Sequence, residues 1–150
     1  MGKKEYKRNA ENVGGYILKV LQTLGGSASR QSIKEGIVDD DEMNISYEDV
    51  FEPITSKNGT KYVPFNMDFN FSLVNLLNCG YIQAYERGGD IVLTEKGRSV
   101  ETNSYPTEDD LRIQNEYWGK KHREQYLRRK EKSKAAKAES EDVQLEDMED

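Results

Sequence analysis

The stretch FNFSLVNLLNCGYIQAYERGGDIVL, residues 69–93, decides the fold that we expect for this chain. Its first part places Phe69, Leu73 and Leu76 at spacings of four and three residues, which puts them on one face of a helix. Gly80 ends that helix, because glycine readily adopts the left-handed conformation found after helix ends. The stretch therefore opens with an amphipathic helix that buries one face.

A hairpin follows this helix. Residues 81–86 are expected to form a strand, Arg87-Gly88-Gly89-Asp90 a turn, and residues 91–93 the returning strand. Thr94 is placed to cap a short helix that runs through Val100. This half of the domain thus consists of a helix, a two-stranded wing and a short closing helix.

Two further helices precede the deciding stretch. Apolar residues recur at spacings of three and one between Val13 and Leu24, and Gly25-Gly26 ends the helix that they predict. Ser27 or Ser29 caps a second helix, which reaches about Ile37. The third helix begins at about Asn66 or Asp68 and ends at Cys79. The predicted core is Ile17, Val20, Leu21, Leu24, Ile33, Ile37, Phe69, Leu73, Leu76, Leu77, Ile82, Val92 and Leu93.

The order helix, helix, helix, strand, turn, strand predicts an α+β fold, mainly helical, of the winged helix-turn-helix type, with a C-terminal extension helix. The domain boundaries follow from composition and pattern. We expect a polar arm over residues 1–12, the winged-helix domain over 13–105 with an insertion at about 38–65, a C-terminal helix over 106–128, and a basic then acidic disordered tail over 129–150.

Charge is strongly divided along the chain, whose net charge is −6. Residues 120–137 carry nine Lys and Arg against two Glu, whereas residues 139–150 carry seven acidic residues and no basic one. Such blocks are typically solvated, and the mean hydropathy of −0.92 agrees with polar tails. Two alternatives remain open: the basic run binds a polyanion, or the acidic tail shields it.

Composition excludes several classes of protein. No apolar run approaches the roughly 20 residues that span a bilayer, and the charged N-terminus does not fit a signal peptide. Cys79 is the sole cysteine, which favours a reducing, cytoplasmic location, and His122 is the sole histidine, which excludes a multi-histidine metal centre. We expect no metal, no cofactor, no small-molecule substrate and no enzymatic activity, because no nucleophile–base or metal-binding constellation is visible.

Two segments carry a family resemblance. Residues 72–82 look like the third helix and strand entry of prokaryotic winged-helix domains, and residues 91–98 resemble the wing return followed by a Thr-x-x-Gly-Arg helix. Over residues 13–101 the chain resembles the N-terminal winged-helix domain of Mrr-type restriction endonucleases, which has similar spacing and an insertion before the third helix. The nuclease half of those enzymes has no counterpart here. The resemblance implies DNA binding, with the third helix in the major groove and the wing near the backbone.

The first functional hypothesis is a DNA-binding protein, a small transcriptional regulator or a restriction-associated accessory factor. On the third helix, the face opposite the predicted core holds Met67, Asp68, Phe71, Asn75 and Asn78, and asparagine can contact adenine through two hydrogen bonds. This helix has no Lys or Arg, so phosphate contacts must come from elsewhere, including the arm (Lys3, Lys4, Lys7 and Arg8) and the basic run. The candidate nucleic-acid-binding residues are Arg30, Gln31, Lys34, Asn70, Asn75, Asn78 and Arg87.

The second hypothesis is a protein–protein interaction module without direct DNA readout. Met67, Phe71 and Val74 form an apolar patch on the third helix, and Leu111 and Trp118 lie near one side of the C-terminal helix. We expect these five residues to form the partner interface, with a homodimer through the C-terminal helix as one outcome. The lack of basic residues on the third helix favours this alternative.

Overall fold

The computed structural model describes residues 6–149, with side chains over residues 6–136. The chain forms two units, of which the first ends at Leu111 and the second begins at Arg112. The elements in chain order are α1 (Val13–Thr23), β1 (Ser27–Ala28), α2 (Arg30–Asp39), α3 (Tyr47–Phe51), β2 (Ile54–Thr55), β3 (Lys61–Tyr62), α4 (Pro64–Asn78), β4 (Ile91–Val92), α5 (Glu95–Ser99), a 3₁₀ turn (Thr102–Ser104) and α6 (Glu108–Glu149).

Helices α1, α2 and α4 enclose the core of the first unit, and Ile17, Ile33 and Phe69 are all buried within it. Gly36 allows α1 and α2 to approach closely, because a Cβ at this position would lie 2.5 Å from a methyl carbon of Val20. The third helix of the sequence analysis corresponds to α4. It starts two to four residues earlier than predicted, with a proline in its first turn, where the missing amide proton costs nothing.

Local sequence signals set the helix starts. The Ser29 hydroxyl accepts a hydrogen bond from the Ser32 amide at 3.1 Å, and the Asn12 side chain accepts one from the Gly15 amide at 3.1 Å. Thr94 accepts from the Gly97 amide at 3.1 Å. The caps predicted at Ser29 and Thr94 are therefore confirmed.

The small sheet differs from the predicted wing. Strand β4 pairs antiparallel with β1, with Ser27 opposite Val92 and Ala28 opposite Ile91. Residues 81–86 contribute a single bridge, Ile82 to Leu93, so the strand predicted over these six residues is wrong in length. The mainly helical α+β class is confirmed, since two short antiparallel pairs, β1–β4 and β2–β3, accompany the helices.

The insertion over residues 38–65 contributes to the core. It contains α3 and the β2–β3 hairpin, whose turn includes Asn58-Gly59, a pair of residues that favours tight turns. Met43, Ile45 and Val50 from this segment are at most 2% exposed. None of the three is in the predicted core, because the sequence indicates that this segment is an insertion before the third helix.

The core prediction needs three corrections. Leu24 is 46% exposed because it lies at the C-cap of α1, and Leu77 and Val92 are partly exposed. The buried apolar residues that were not predicted include Val13, Leu18, Met43, Ile45, Val50, Phe65, Tyr81, Ile91 and Tyr105. Cys79, at the end of α4, is buried as well.

Helix α6 starts with a reciprocal cap. The Thr107 hydroxyl accepts from the Asp110 amide at 3.1 Å, and the Asp110 carboxylate accepts from the Thr107 amide at 3.0 Å. The same carboxylate accepts a hydrogen bond from the Tyr81 hydroxyl at 2.7 Å. The start of α6 is thereby tied to the residue that follows Gly80.

The boundary predicted at residue 128 does not appear in the structure. Helix α6 continues to Glu149, through most of the segment that we expected to be a disordered tail. Over the described residues, no helix combines the length and the apolar character that crossing a bilayer requires.

We predict that Gly97→Ala destabilises the first unit by more than about 2 kcal/mol, because the new Cβ would lie 2.0 Å from the Tyr81 carbonyl oxygen. Urea unfolding followed by circular dichroism measures this loss. Glu95→Ala, at an exposed position of the same short helix, serves as the control and should cost about 0.5 kcal/mol or less. Equal losses in the two variants would contradict the close packing at Gly97.

A second prediction concerns Asp110 and pH. Burial alone would raise the pKa of this carboxyl, but hydrogen bonds from Thr107 and Tyr81 outweigh it and hold the pKa below its ordinary value. A lowered pKa in the folded state contributes stability above the unfolded-state pKa of about 4, and this stability is lost as pH falls through the folded-state value. The free-energy gap between the wild type and Asp110→Asn should therefore be largest at neutral pH.

Urea titrations at several pH values test this gap. For comparison, Asp90→Asn, which removes the same charge at an exposed position, should be about as stable as the wild type at neutral pH. An Asp110→Asn variant whose deficit stays constant between pH 7 and pH 3 would contradict the assigned role.

Candidate nucleic-acid interface

Four polar side chains connect α2 with α4. Arg30 Nη1 donates a hydrogen bond to Asn70 Oδ1 at 3.2 Å, and Lys34 Nζ donates one to Asn66 Oδ1 at 2.8 Å. Residues four apart lie one above the other on a helix face, so the two pairs repeat one turn apart on both helices. We call these four residues the α2–α4 row.

Aromatic rings support the two cations of this row. The Arg30 guanidinium carbon lies 5.5 Å from the centre of the Tyr85 ring, and Lys34 Nζ lies 5.0 Å from the centre of the Phe69 ring. Burial, and secondarily the charge of Arg30, lower the pKa of Lys34. Arg30 Nε is buried, and none of the described residues accepts a hydrogen bond from it. The row holds its cations in fixed positions against apolar rings.

Two other predicted phosphate or base contacts lie outside the row. Gln31 is exposed on α2 and donates to Glu35 Oε1 at 3.0 Å. Arg87 is exposed in the turn closed by the Gly89 amide and the Glu86 carbonyl at 2.9 Å. Because Tyr85 stands two residues before Arg87 and contacts Arg30, it links this turn to the row.

The outward face of α4 is mixed in character. Met67, Phe71, Val74 and Asn78 follow one another at spacings of four, three and four, which forms a single stripe. Met67 is 48% and Phe71 44% exposed, whereas Val74 and Asn78 are half-buried. The Asn78 amide nitrogen has no hydrogen-bond partner within the described part of the chain. The stripe thus contains three apolar residues and one asparagine.

The predicted asparagines do not share one face. Asn70 is exposed beside Arg30, and Asn78 lies at the end of the stripe. Asn75 is half-buried on the other flank of α4, because a spacing of five residues turns it away from Asn70 by about 140°. The structure therefore places Asn70, rather than Asn75, next to the cations of the α2–α4 row.

Sequence analysis placed Asp68 on the outward face of α4, and this placement is wrong. Asp68 is 6% exposed and is one of the buried residues of α4, as Phe65 and Phe69 are. Its carboxylate accepts hydrogen bonds from the Tyr6 hydroxyl, from the Asn9 amide at 3.0 Å and from Arg8 Nε at 3.3 Å. A buried carboxylate needs such donors, and the Arg8 guanidinium also offsets its negative charge. The charge of Asp68 therefore does not lie on the outward face of α4.

Residues 6–9 of the predicted polar arm are therefore packed on α4. The Tyr6 ring meets Phe65 edge to face, with ring centres 5.4 Å apart, and the Tyr6 amide donates to Asp49 Oδ2 at 3.0 Å. Burial, together with the hydrogen bond to Asp68, raises the pKa of Tyr6 above its ordinary value. Lys3 and Lys4 lie outside the described residues. Sequence analysis missed this contact, although the position of Asp68 three residues after Phe65 was a usable signal.

The remaining interface candidates belong to different units. Leu111 is 46% exposed at the end of the first unit. Trp118 lies in the second unit, where its ring meets Tyr117 edge to face at 5.0 Å. Their role in a partner interface stays a prediction.

Charge is segregated across the first unit. Residues 6–111 carry ten Lys and Arg against seventeen Asp and Glu, and seven of these acidic residues fall within residues 39–52. They lie between Asp39, the last residue of α2, and Glu52, the residue after α3, whereas Arg30 and Lys34 occupy the first half of α2. The two cations of the row are therefore separated along α2 from the acidic residues of the segment 39–52.

Comparisons with known proteins add no relative. No family model matches the sequence, and no curated protein or solved structure shows significant similarity to it. Among the described residues, His, Cys, Asp and Glu side chains form no group of three or more that could hold a metal ion.

We predict that Tyr6→Phe lowers the free energy of unfolding by about 1–2 kcal/mol, because the buried Asp68 carboxylate loses one of its donors. Tyr47→Phe is the matched control, since Tyr47 is 55% exposed. Urea unfolding of both variants checks this prediction. A Tyr6→Phe variant as stable as the control would contradict the contact between the arm and α4.

Proposed function

We propose that this chain binds double-stranded DNA through a winged-helix domain in its first unit. In this proposal α4 enters the major groove and the turn containing Arg87 lies near the backbone. The α2–α4 row carries the proposal, because it fixes two cations and two amides along the exposed edge of α4. The antiparallel pairing of β1, which precedes α2, with β4, which follows α4, supports a winged helix.

The residues take two roles. Arg30, Lys34 and Arg87 hold phosphates, and such contacts fix the position of a protein on the duplex without reading its sequence. Asn70 and Asn78 are the better-placed candidates for reading bases. Asn70 belongs to the α2–α4 row, and Asn78 lies on the outward stripe of α4. Gln31, which is exposed on α2, and Asn75, which is half-buried on α4, have a secondary role.

The buried position of Asp68 supports the proposal. An outward carboxylate on α4 would repel the phosphates on both sides of the groove, but this one is neutralised by the arm. The acidic residues of the segment 39–52 lie beyond the first half of α2. Within this function, the chain acts as a small transcriptional regulator or as an accessory factor to a restriction system.

The test is a titration of a short labelled duplex of random sequence, followed by fluorescence anisotropy at several salt concentrations. Lys34→Met with Arg87→Ala should weaken binding and reduce the slope of log affinity against log salt by about 1.8, because each lost phosphate contact removes about 0.9. Methionine at position 34 retains an apolar stem against Phe69.

The control replaces two exposed lysines of the β2–β3 hairpin, Lys57→Ala with Lys61→Ala, which changes the net charge equally. Its salt slope should match that of the wild type. No binding by the wild type at low salt, or an unchanged slope in the Lys34 and Arg87 variant, would refute the proposal.

One observation favours a second function, a protein–protein interaction module. Met67 and Phe71 are 48% and 44% exposed and, with Val74, form the apolar part of the stripe on a helix that has no Lys or Arg. Large apolar side chains on a helix face are typical of contacts with another protein. The same face would then meet a partner chain instead of a groove.

Sedimentation velocity distinguishes the two functions. If α4 docks on a second copy, Phe71→Glu should shift a dimer to a monomer, whereas Asn70→Glu, which adds the same charge one residue away, should leave the dimer intact. A wild type that is monomeric at every concentration tested would reject self-association through α4.

A further inference from the structure

The described part of α6 beyond Gly119 has a surface of one dominant charge. Between Lys120 and Lys134 the sequence places eight Lys and Arg against Glu124 and Glu131. Every side chain from residue 120 to 136 is exposed except Glu124, which is half-buried. Among described residues of α6, the ion pair Arg112–Glu116 lies before this segment. The cations of residues 120–134 therefore face solvent.

These cations surround the helix instead of forming one face. Successive residues turn by 100°, so Lys120, Lys121 and Arg123 point in three different directions. Tyr126 and Leu127 are 63% and 51% exposed, and as neighbours in sequence they too point apart. An amphipathic membrane-surface helix needs an apolar face opposite its charges, and this segment does not have one.

The length of this segment and its charges on every side suit the backbone of a polyanion such as duplex DNA. Fifteen residues of α-helix span about 22 Å. Over that length duplex DNA presents about 13 phosphate charges. A helix with cations on every side can approach such a backbone in any rotational setting, with an affinity that depends on charge more than on shape.

We propose that residues 120–134 of α6 bind the phosphate backbone of duplex DNA, an inference that rests on the proposed function of the first unit. That unit has an excess of acidic residues and no cation on α4, so it is short of the phosphate contacts that supply most non-specific affinity. The segment supplies this affinity without reading sequence. The anisotropy titration described above can isolate its contribution.

The test variant is Arg128→Gln with Arg129→Gln, because glutamine removes charge and retains helix propensity. We expect its salt slope to fall by about 1.8 relative to the wild type, with unchanged helix content by circular dichroism. Lys57→Gln with Lys61→Gln in the β2–β3 hairpin is the equal-charge control and should keep the wild-type slope. An α6 variant that retains the wild-type slope, or a control that falls as far, would overturn the inference.

A variant of opposite sign strengthens the test. Glu124→Gln with Glu131→Gln removes the two acidic residues of the segment and should tighten binding and steepen the slope. Weaker binding by this variant would count against the inference. Vesicles containing phosphatidylserine test the other anionic surface, and binding to them that is tighter than binding to the duplex would assign the segment to membranes instead of DNA.

The two proposals can fail separately. If the salt slope falls in the α6 variant while the Lys34 and Arg87 variant keeps the wild-type slope, residues 120–134 bind DNA and the role of the first unit is rejected. If the reverse holds, the first unit binds DNA and the role of the segment is rejected. Losses in both variants support both assignments.

Discussion

The rotational setting of α4 about its own axis is the constraint on which the rest of the first unit depends. Phe65, Phe69 and Leu73 bury one side of the helix, and the Asp68 carboxylate, which is buried next to that side, must be supplied with donors. The donors come from residues 6–9, so the start of the chain is held against the helix. With that side fixed, Met67 and Asn70 face outward. The rotation of α4 therefore determines which residues form its outward stripe and the α2–α4 row.

The sequence pattern predicted the helical elements well, because caps and apolar spacing act locally. Ser29 and Thr94 mark helix starts by a hydrogen bond within three residues. The β1–β4 pair was not predictable in this way, since a two-residue strand has no period and its partner lies more than sixty residues away. Asp68 was misplaced for a related reason, because a carboxylate is buried only when distant donors reach it.

The division of charge gives the two units different kinds of surface. In the first unit, acidic residues gather after α2 and around α3, while the row of Arg30 and Lys34 is held against aromatic rings. In the second unit, cations surround the helix without packing against a core. Of the candidate site, the cations were predictable from sequence, whereas their pairing with Asn66 and Asn70 was not, since it depends on how α2 and α4 align.

The contact between Tyr6 and Asp68 joins positions 62 residues apart in sequence. A natural variant that lost the carboxylate would leave the phenol without its acceptor, and one that lost the phenol would leave the carboxylate short of a donor. Substitutions at the two positions should therefore accumulate together as relatives of this chain diverge.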